Sequence, residues 1–110
     1  MKIHLVKEKT IRHYIKNHAI SKPAFEEWLS KLKNTNCEKP NDFKLMFGSA
    51  DLLGDGCSRI VFDIGGNNYR MICKYGFGEN KVHLFVCWIG THAEYDKLCS
   101  KNRQYTVSRY

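Results

Sequence analysis

The sequence predicts a single α+β domain, and three observations carry that prediction. Apolar residues recur at helical spacing over the first third of the chain, strict alternation begins at Arg59, and a helix-start signature follows the last alternating run. With 110 residues there is room for one hydrophobic core, so residues 1–110 read as one domain. Hydrophobic residues make up 43% and charged residues 26%, with two prolines, which is the composition of a folded globular chain.

The elements follow in order. Lys2 to Val6 reads as a short first strand. Ile11, Tyr14, Ile15 and His18 then fall at i, i+3, i+4 and i+7, one stripe of a helix. Ser21 is placed to cap a second helix with Pro23 in its first turn, and Phe25, Trp28, Leu29 and Leu32 repeat the stripe. These aromatics read as core. Residues 34–41 are a polar linker containing Pro40, and Asn41 is placed to cap one helical turn around Phe43 to Met46. Residues 48–56 read as a loop. From Arg59 onward Ile60, Phe62 and Ile64 share one strand face, and Gly65-Gly66-Asn67-Asn68 supplies the positive-φ residues of a hairpin. The next strand, Tyr69 to Phe77, puts Tyr69, Met71, Cys73 and Tyr75 on one face and Arg70, Ile72 and Lys74 on the other. Gly78-Glu79-Asn80 turns, Lys81 to Ile89 returns as a largely buried strand, and Gly90 ends it. Thr91-x-x-Glu94 is a capping box that opens a last helix. Tyr105-Thr106-Val107 reads equally as a final extended piece or as a frayed tail. The expected order is an N-terminal strand and two helices, an antiparallel sheet and a C-terminal helix.

Eighteen basic against eleven acidic residues give a net charge of +7, which favours polyanions or acidic proteins as partners. Five cysteines without a C-x-x-C pair, and no histidine at zinc-ligand spacing beside them, read as reduced thiols of a cytoplasmic protein. The N-terminus is interrupted too early by charge for a signal peptide, and no apolar run is long enough for a membrane span.

Arg70, Lys74, His92 and Tyr95 are the candidates for reach of one phosphate. Arg70 and Lys74 share a strand face, and two cations are costly to bury unpaired, so that face is expected to be partly wet. His92 stands at the first turn of the last helix, where backbone N–H groups favour an anion. The same placements also suit an ordinary solvated sheet face, a surface histidine and a tyrosine packed on the sheet. Taken together, the set fits RNA cleavage by attack of the ribose 2′-hydroxyl on the adjacent phosphate. That chemistry needs a base, an acid and cations for the phosphorane. His92 is the member whose ordinary titration lies near neutrality, and Arg70 offers a planar fork to phosphate oxygens. Lys74 and Tyr95 would hold charge or orient the ribose. Such chemistry needs no metal, and no metal or other cofactor is expected.

The hairpin Phe62-Asp63-Ile64-Gly65-Gly66-Asn67-Asn68-Tyr69-Arg70 and the stretch Thr91-His92-Ala93-Glu94-Tyr95-Asp96-Lys97 resemble the two signatures of the HigB toxins. These belong to the RelE superfamily of mRNA interferases from type II toxin–antitoxin systems. The likeness extends more weakly over Lys44 to Phe47 and over length and element order. The resemblance implies a RelE-like fold, endoribonuclease action on mRNA in the ribosomal A site with inhibition of translation, and neutralisation by a HigA-type helix-turn-helix antitoxin. It carries over Arg70, His92 and Tyr95 as catalytic candidates and Lys44, Arg59, Asn67 and Lys74 as RNA-binding candidates. Against this stand a non-catalytic basic RNA-binding domain, which surface charge and aromatics would also serve, and a module that binds only an acidic protein.

Overall fold

The computed structural model describes residues 1–54 and 56–110. Strand β1 (Lys2–Val6) leads into helix α1 (Glu8–Asn17), which buries Ile11, Tyr14 and Ile15 as its stripe predicts. His18 ends the helix and stacks on the Tyr14 ring at 4.0 Å. Helix α2 (Lys22–Lys33) buries Phe25, Trp28, Leu29 and Leu32. Ser21 is not its side-chain cap. A 3-10 turn, Ala19–Ser21, intervenes, and the Ser21 hydroxyl donates backward to the His18 carbonyl at 2.6 Å. Nor does Asn41 cap helix α3 (Asn41–Met46). Its neighbour Asp42 accepts from the amides of Glu38 and Lys39, tying down the preceding turn.

The expected loop over 48–56 holds a short strand, β2 (Asp51–Leu53), too brief to show alternation in the sequence; residue 55 lies outside the described residues. Strands β3 (Arg59–Ile64), β4 (Tyr69–Phe77) and β5 (Lys81–Thr91) follow. The sheet order is β1-β5-β4-β3-β2, antiparallel except for the parallel β1–β5 pair. Helix α4 (His92–Ser100) opens on the predicted capping box, with Thr91 and Glu94 exchanging both bonds. A 3-10 turn, Arg103–Tyr105, then leads into the tail.

Both faces of the sheet are covered. The first packs Ile60, Phe62, Ile64, Met71 and Cys73 against α1, α2 and α3, with Trp28, Phe47 and Phe62 in mutual contact at centroid distances of 5.1–5.9 Å. The second buries Val61, Ile72, Cys87 and Trp88 under Tyr95 and Leu98 of α4 and Val107 of the tail. The parity of β5 changes between these sets. Ile72 pairs with Trp88 but Cys73 pairs with Val86, so Cys87 is the extra residue of a β-bulge. Val82, Leu84 and Val86 face the first core, and the bulge turns Trp88 to the second.

Gly90 does not end β5; it pairs with Arg70 inside the strand. A Cβ there would stand 2.5 Å from Cη2 and 2.6 Å from Cζ2 of Trp88. The indole is 2% exposed and has no room to yield. Gly90→Ala is expected to cost about 1–3 kcal/mol through overpacking. Thermal melts of the purified variant check this, and an unchanged Tm would show that the indole has another seat.

Tyr14 is 7% exposed, and its hydroxyl has no partner among the described residues. Burial pushes its ionisation up to about 12, with the nearby Glu94 adding in the same direction. The unfolded chain ionises near 10, so native stability is complete below that pH and falls between pH 10 and 12. Tyr14→Phe is expected to keep the melting temperature at pH 7 and to shrink its fall from pH 10 to 12. Paired melts across that range measure the difference.

Candidate functional site

The hairpin and α4 meet at one end of the second sheet face. Gly65 and Gly66 take φ of +65° and +67°, which lets β3 reverse directly into β4. That reversal sets Asp63 opposite Arg70 in the ladder. The sequence leads to the expectation of a partly wet face for Arg70, and the structure corrects it, because the cation is not left unpaired. Arg70 is 8% exposed, with its Nε 2.9 Å from Asp63 Oδ1. Its Nη2 donates to Asn67 Oδ1 at 2.9 Å and its Nη1 to the Tyr69 carbonyl at 3.3 Å. A buried cation is tolerable because it is paired in this way. A guanidinium carries five N–H groups, so Arg70 keeps donors to spare while its position is fixed.

The second half of the site comes from α4. The His92 amide donates to the Asn68 carbonyl at 3.1 Å, fastening the helix start to the hairpin. The Glu94 amide is taken by Thr91, so two donors of the first turn are engaged within the protein. The His92 side chain is about half exposed, and its Nε2 lies 3.5 Å from Asp96 Oδ2, one turn along. Tyr95 packs inward instead, 6.1 Å from the Trp88 ring. Burial is the first cause that holds its hydroxyl protonated well above the usual tyrosine range, the adjacent Cys99 is the next, and Arg70 pulls the other way. Tyr95 is therefore a hydrogen-bond donor at neutral pH and not a base.

The structure thus brings Arg70, Asn67, His92 and Tyr95 to one end of the sheet. It does not bring the other three candidates there. Lys74 is exposed but lies four residues along β4, on the order of 13 Å from Arg70, too far for a shared phosphate. Arg59 is 7% exposed, and its Nη1 donates to the carbonyls of Gln104 at 3.2 Å and Val107 at 2.7 Å. It is a tail anchor. Lys44 is exposed on α3, whose Phe43 packs on the first sheet face, in the opposite layer. Two partners went unread in the sequence: Asp63, legible only once the hairpin register is known, and Asp96, visible as an acid four residues after His92.

Asp63 holds Arg70 from the neighbouring strand, so its loss leaves a buried cation short of its carboxylate. Asp63→Ala is expected to destabilise the fold by about 3–5 kcal/mol, the range for breaking a buried pair, while Asp63→Asn keeps part of the contact and loses less. Denaturant melts of the two variants rank them; equal stability with the parent would make the pair dispensable.

Residues 21–98 match the profile of the HigB toxin, a RelE-like toxic component of a toxin–antitoxin system. The matched span holds the hairpin, Arg70, His92 and Tyr95. The chain is also similar to the mRNA interferase HigB of Escherichia coli O6:H1 (strain CFT073), at 33% identity over 101 residues, covering 79% of this chain and 96% of that relative. With the mixed sheet, the N-terminal helices and the C-terminal helix all in place, this chain belongs to the RelE-like HigB toxin family.

Proposed function

We propose that the protein is an endoribonuclease that cuts messenger RNA on the translating ribosome, arrests translation in the cytoplasm, and is held silent by a HigA-type helix-turn-helix antitoxin. The observation that carries this reading is the junction of a pinned arginine with a histidine–aspartate pair across one hydrogen bond from hairpin to helix. The activity named for the Escherichia coli relative agrees with it.

In this reading the scissile phosphate lies against the free N–H groups of Arg70. The ribose 2′-oxygen loses its proton and bonds to phosphorus, the P–O5′ bond breaks, and a proton passes to the departing oxygen. Arg70 stabilises the charge that builds on the phosphorane, and its fixed position means little reorganisation at that moment. Tyr95, protonated and beside Arg70, donates to a phosphate or ribose oxygen. His92 supplies the proton to O5′, and Asp96 holds its imidazolium. No step is assigned to a metal. Asn67 positions Arg70 and stands at the exposed hairpin tip, where it also meets the RNA strand. Lys74 and Lys44 remain RNA contacts at a distance from the cleaved bond.

Expression of the chain alone is expected to arrest growth, and Arg70→Ala or His92→Ala to relieve that arrest at equal protein abundance. In single-turnover cleavage on ribosomes, read by primer extension, His92→Gln is expected to lose roughly a hundred- to ten-thousand-fold, the usual worth of a general acid. Full toxicity of both alanine variants would remove Arg70 and His92 from the chemistry. RNA binding without any cleavage by the parent chain would leave a non-catalytic RNA-binding domain.

A further inference from the structure

The two flanks of α4 differ in charge. His92 and Asp96 share one flank, and Glu94, Lys97 and Lys101 lie along the other. That second flank borders a cleft of about 280 Å³ closed on its far side by Arg103 and Arg109 and floored by Trp88. Its four cations are exposed, and among the described residues none lies within 4.0 Å of a carboxylate. One acid, Glu94, also lines the cleft; its Oε1 accepts the Thr91 amide at 2.8 Å, and it offsets one of the four positive charges. The four cations outnumber that single acid, and like charges in excess repel one another at a cost that a polyanion removes.

The cleft is held in shape by contacts that fix its cations. Arg109 lies over the Trp88 ring at 5.9 Å, and its amide donates to the Cys87 carbonyl at 2.8 Å, so the tail is stitched to β5 beyond the end of β1. Arg103 opens the 3-10 turn whose Gln104 carbonyl accepts from Arg59. Trp88 itself is 2% exposed and offers no face for a base to stack on. A site with charge and no stacking platform reads backbone and not sequence. Lys101, Arg103 and Arg109 lie outside the span 21–98 that matches the family, so this cleft is a feature of the chain's own C-terminus.

We propose that the cleft formed by Lys97, Lys101, Arg103 and Arg109 is a second RNA site that grips phosphates of the RNA backbone on the side of α4 away from His92. It builds on the RNA-cleaving reading and adds a docking contact separate from the chemistry. The phosphates have two possible sources, the message itself and the structured RNA of the ribosome.

The test is binding, measured on the full chain carrying His92→Ala so that cleavage does not intrude. Affinity is followed from 50 to 200 mM salt for a single-stranded RNA oligomer and, separately, for ribosomes without message. Each phosphate that the protein no longer neutralises lowers the log–log slope by roughly 0.7 for single strands and 0.9 for duplex. Lys97→Gln/Lys101→Gln/Arg103→Gln is therefore expected to lose roughly twenty- to fortyfold less affinity over that fourfold salt rise than its parent. A change in the oligomer arm assigns the message as source, and a change in the ribosome arm assigns ribosomal RNA. Parental slopes in both arms overturn the proposal. So does a loss seen only with a polyglutamate peptide, which would put an acidic protein in the cleft. The substituted side chains are exposed, and a matching melt confirms the fold; if it fails, Lys97→Gln/Lys101→Gln carries the same comparison. Because His92→Ala is common to all arms, failure of the catalytic reading leaves this result standing, and the reverse also holds.

Discussion

Arg59 is a cation taken almost wholly out of water, and its desolvation must be met by the carbonyls of Gln104 and Val107. Those two bonds draw the C-terminal chain back over β3 and set Val107 on Val61 and Ile72. The second face of the sheet is closed by this means, since α4 alone covers it only with Tyr95 and Leu98. Both surfaces proposed to meet RNA then follow. Tyr95 is half-buried against the closed layer and kept protonated there, and Arg103 and Arg109 are carried to the far flank of the helix. A cation that the sequence offers as an RNA contact instead shapes the two places where RNA would bind.

The first layer was legible because its signals are periodic. Stripes at three and four residues in α1 and α2, alternation in β3 and β4 and two glycines at the hairpin each name a local conformation on their own; the capping box likewise marks where α4 starts, but not what it packs on. The second layer was not legible, because its determinants are long-range. Nothing local in Arg59 distinguishes a surface cation from one that binds carbonyls 45 and 48 positions later. Ser21 has the right residue type for a cap, yet the chain enters α2 through a 3-10 turn and its hydroxyl finds a nearer acceptor. Of the candidate residues, Arg70, Asn67, His92 and Tyr95 lie at one end of the sheet. Lys74 was misplaced because a shared strand face fixes direction but not distance.

The bulge at Cys87 explains why the second layer exists in this form. Regular alternation from Val82 would send Trp88 into the first core, beside Val86. One extra residue reverses that parity, and the indole moves to the second face, where Gly90 gives it space and Tyr95 meets its ring. A single residue of register therefore decides whether α4 has an aromatic seat. The same shift leaves Gly90 opposite Arg70, so the strand beside the arginine carries no side chain on that face. The Trp88 indole fills the volume that a Cβ at Gly90 would take, so the ring packs directly over the strand there.

The tail is part of the fold and not an appendage to it. Arg59 and Trp88 lie inside the span shared with the family, while the carbonyls that satisfy the first and the guanidinium that covers the second lie beyond it. Removing the residues after Leu98 would leave a buried cation without acceptors and an indole open to water, and both changes act on the face that seats Tyr95. The hairpin end of the site is held differently, by Asp63 and Asn67 within the shared span. Arg70 is thus fixed by the sheet alone, whereas the seating of Tyr95 depends also on the C-terminal chain, and the two halves of the site answer to separate supports.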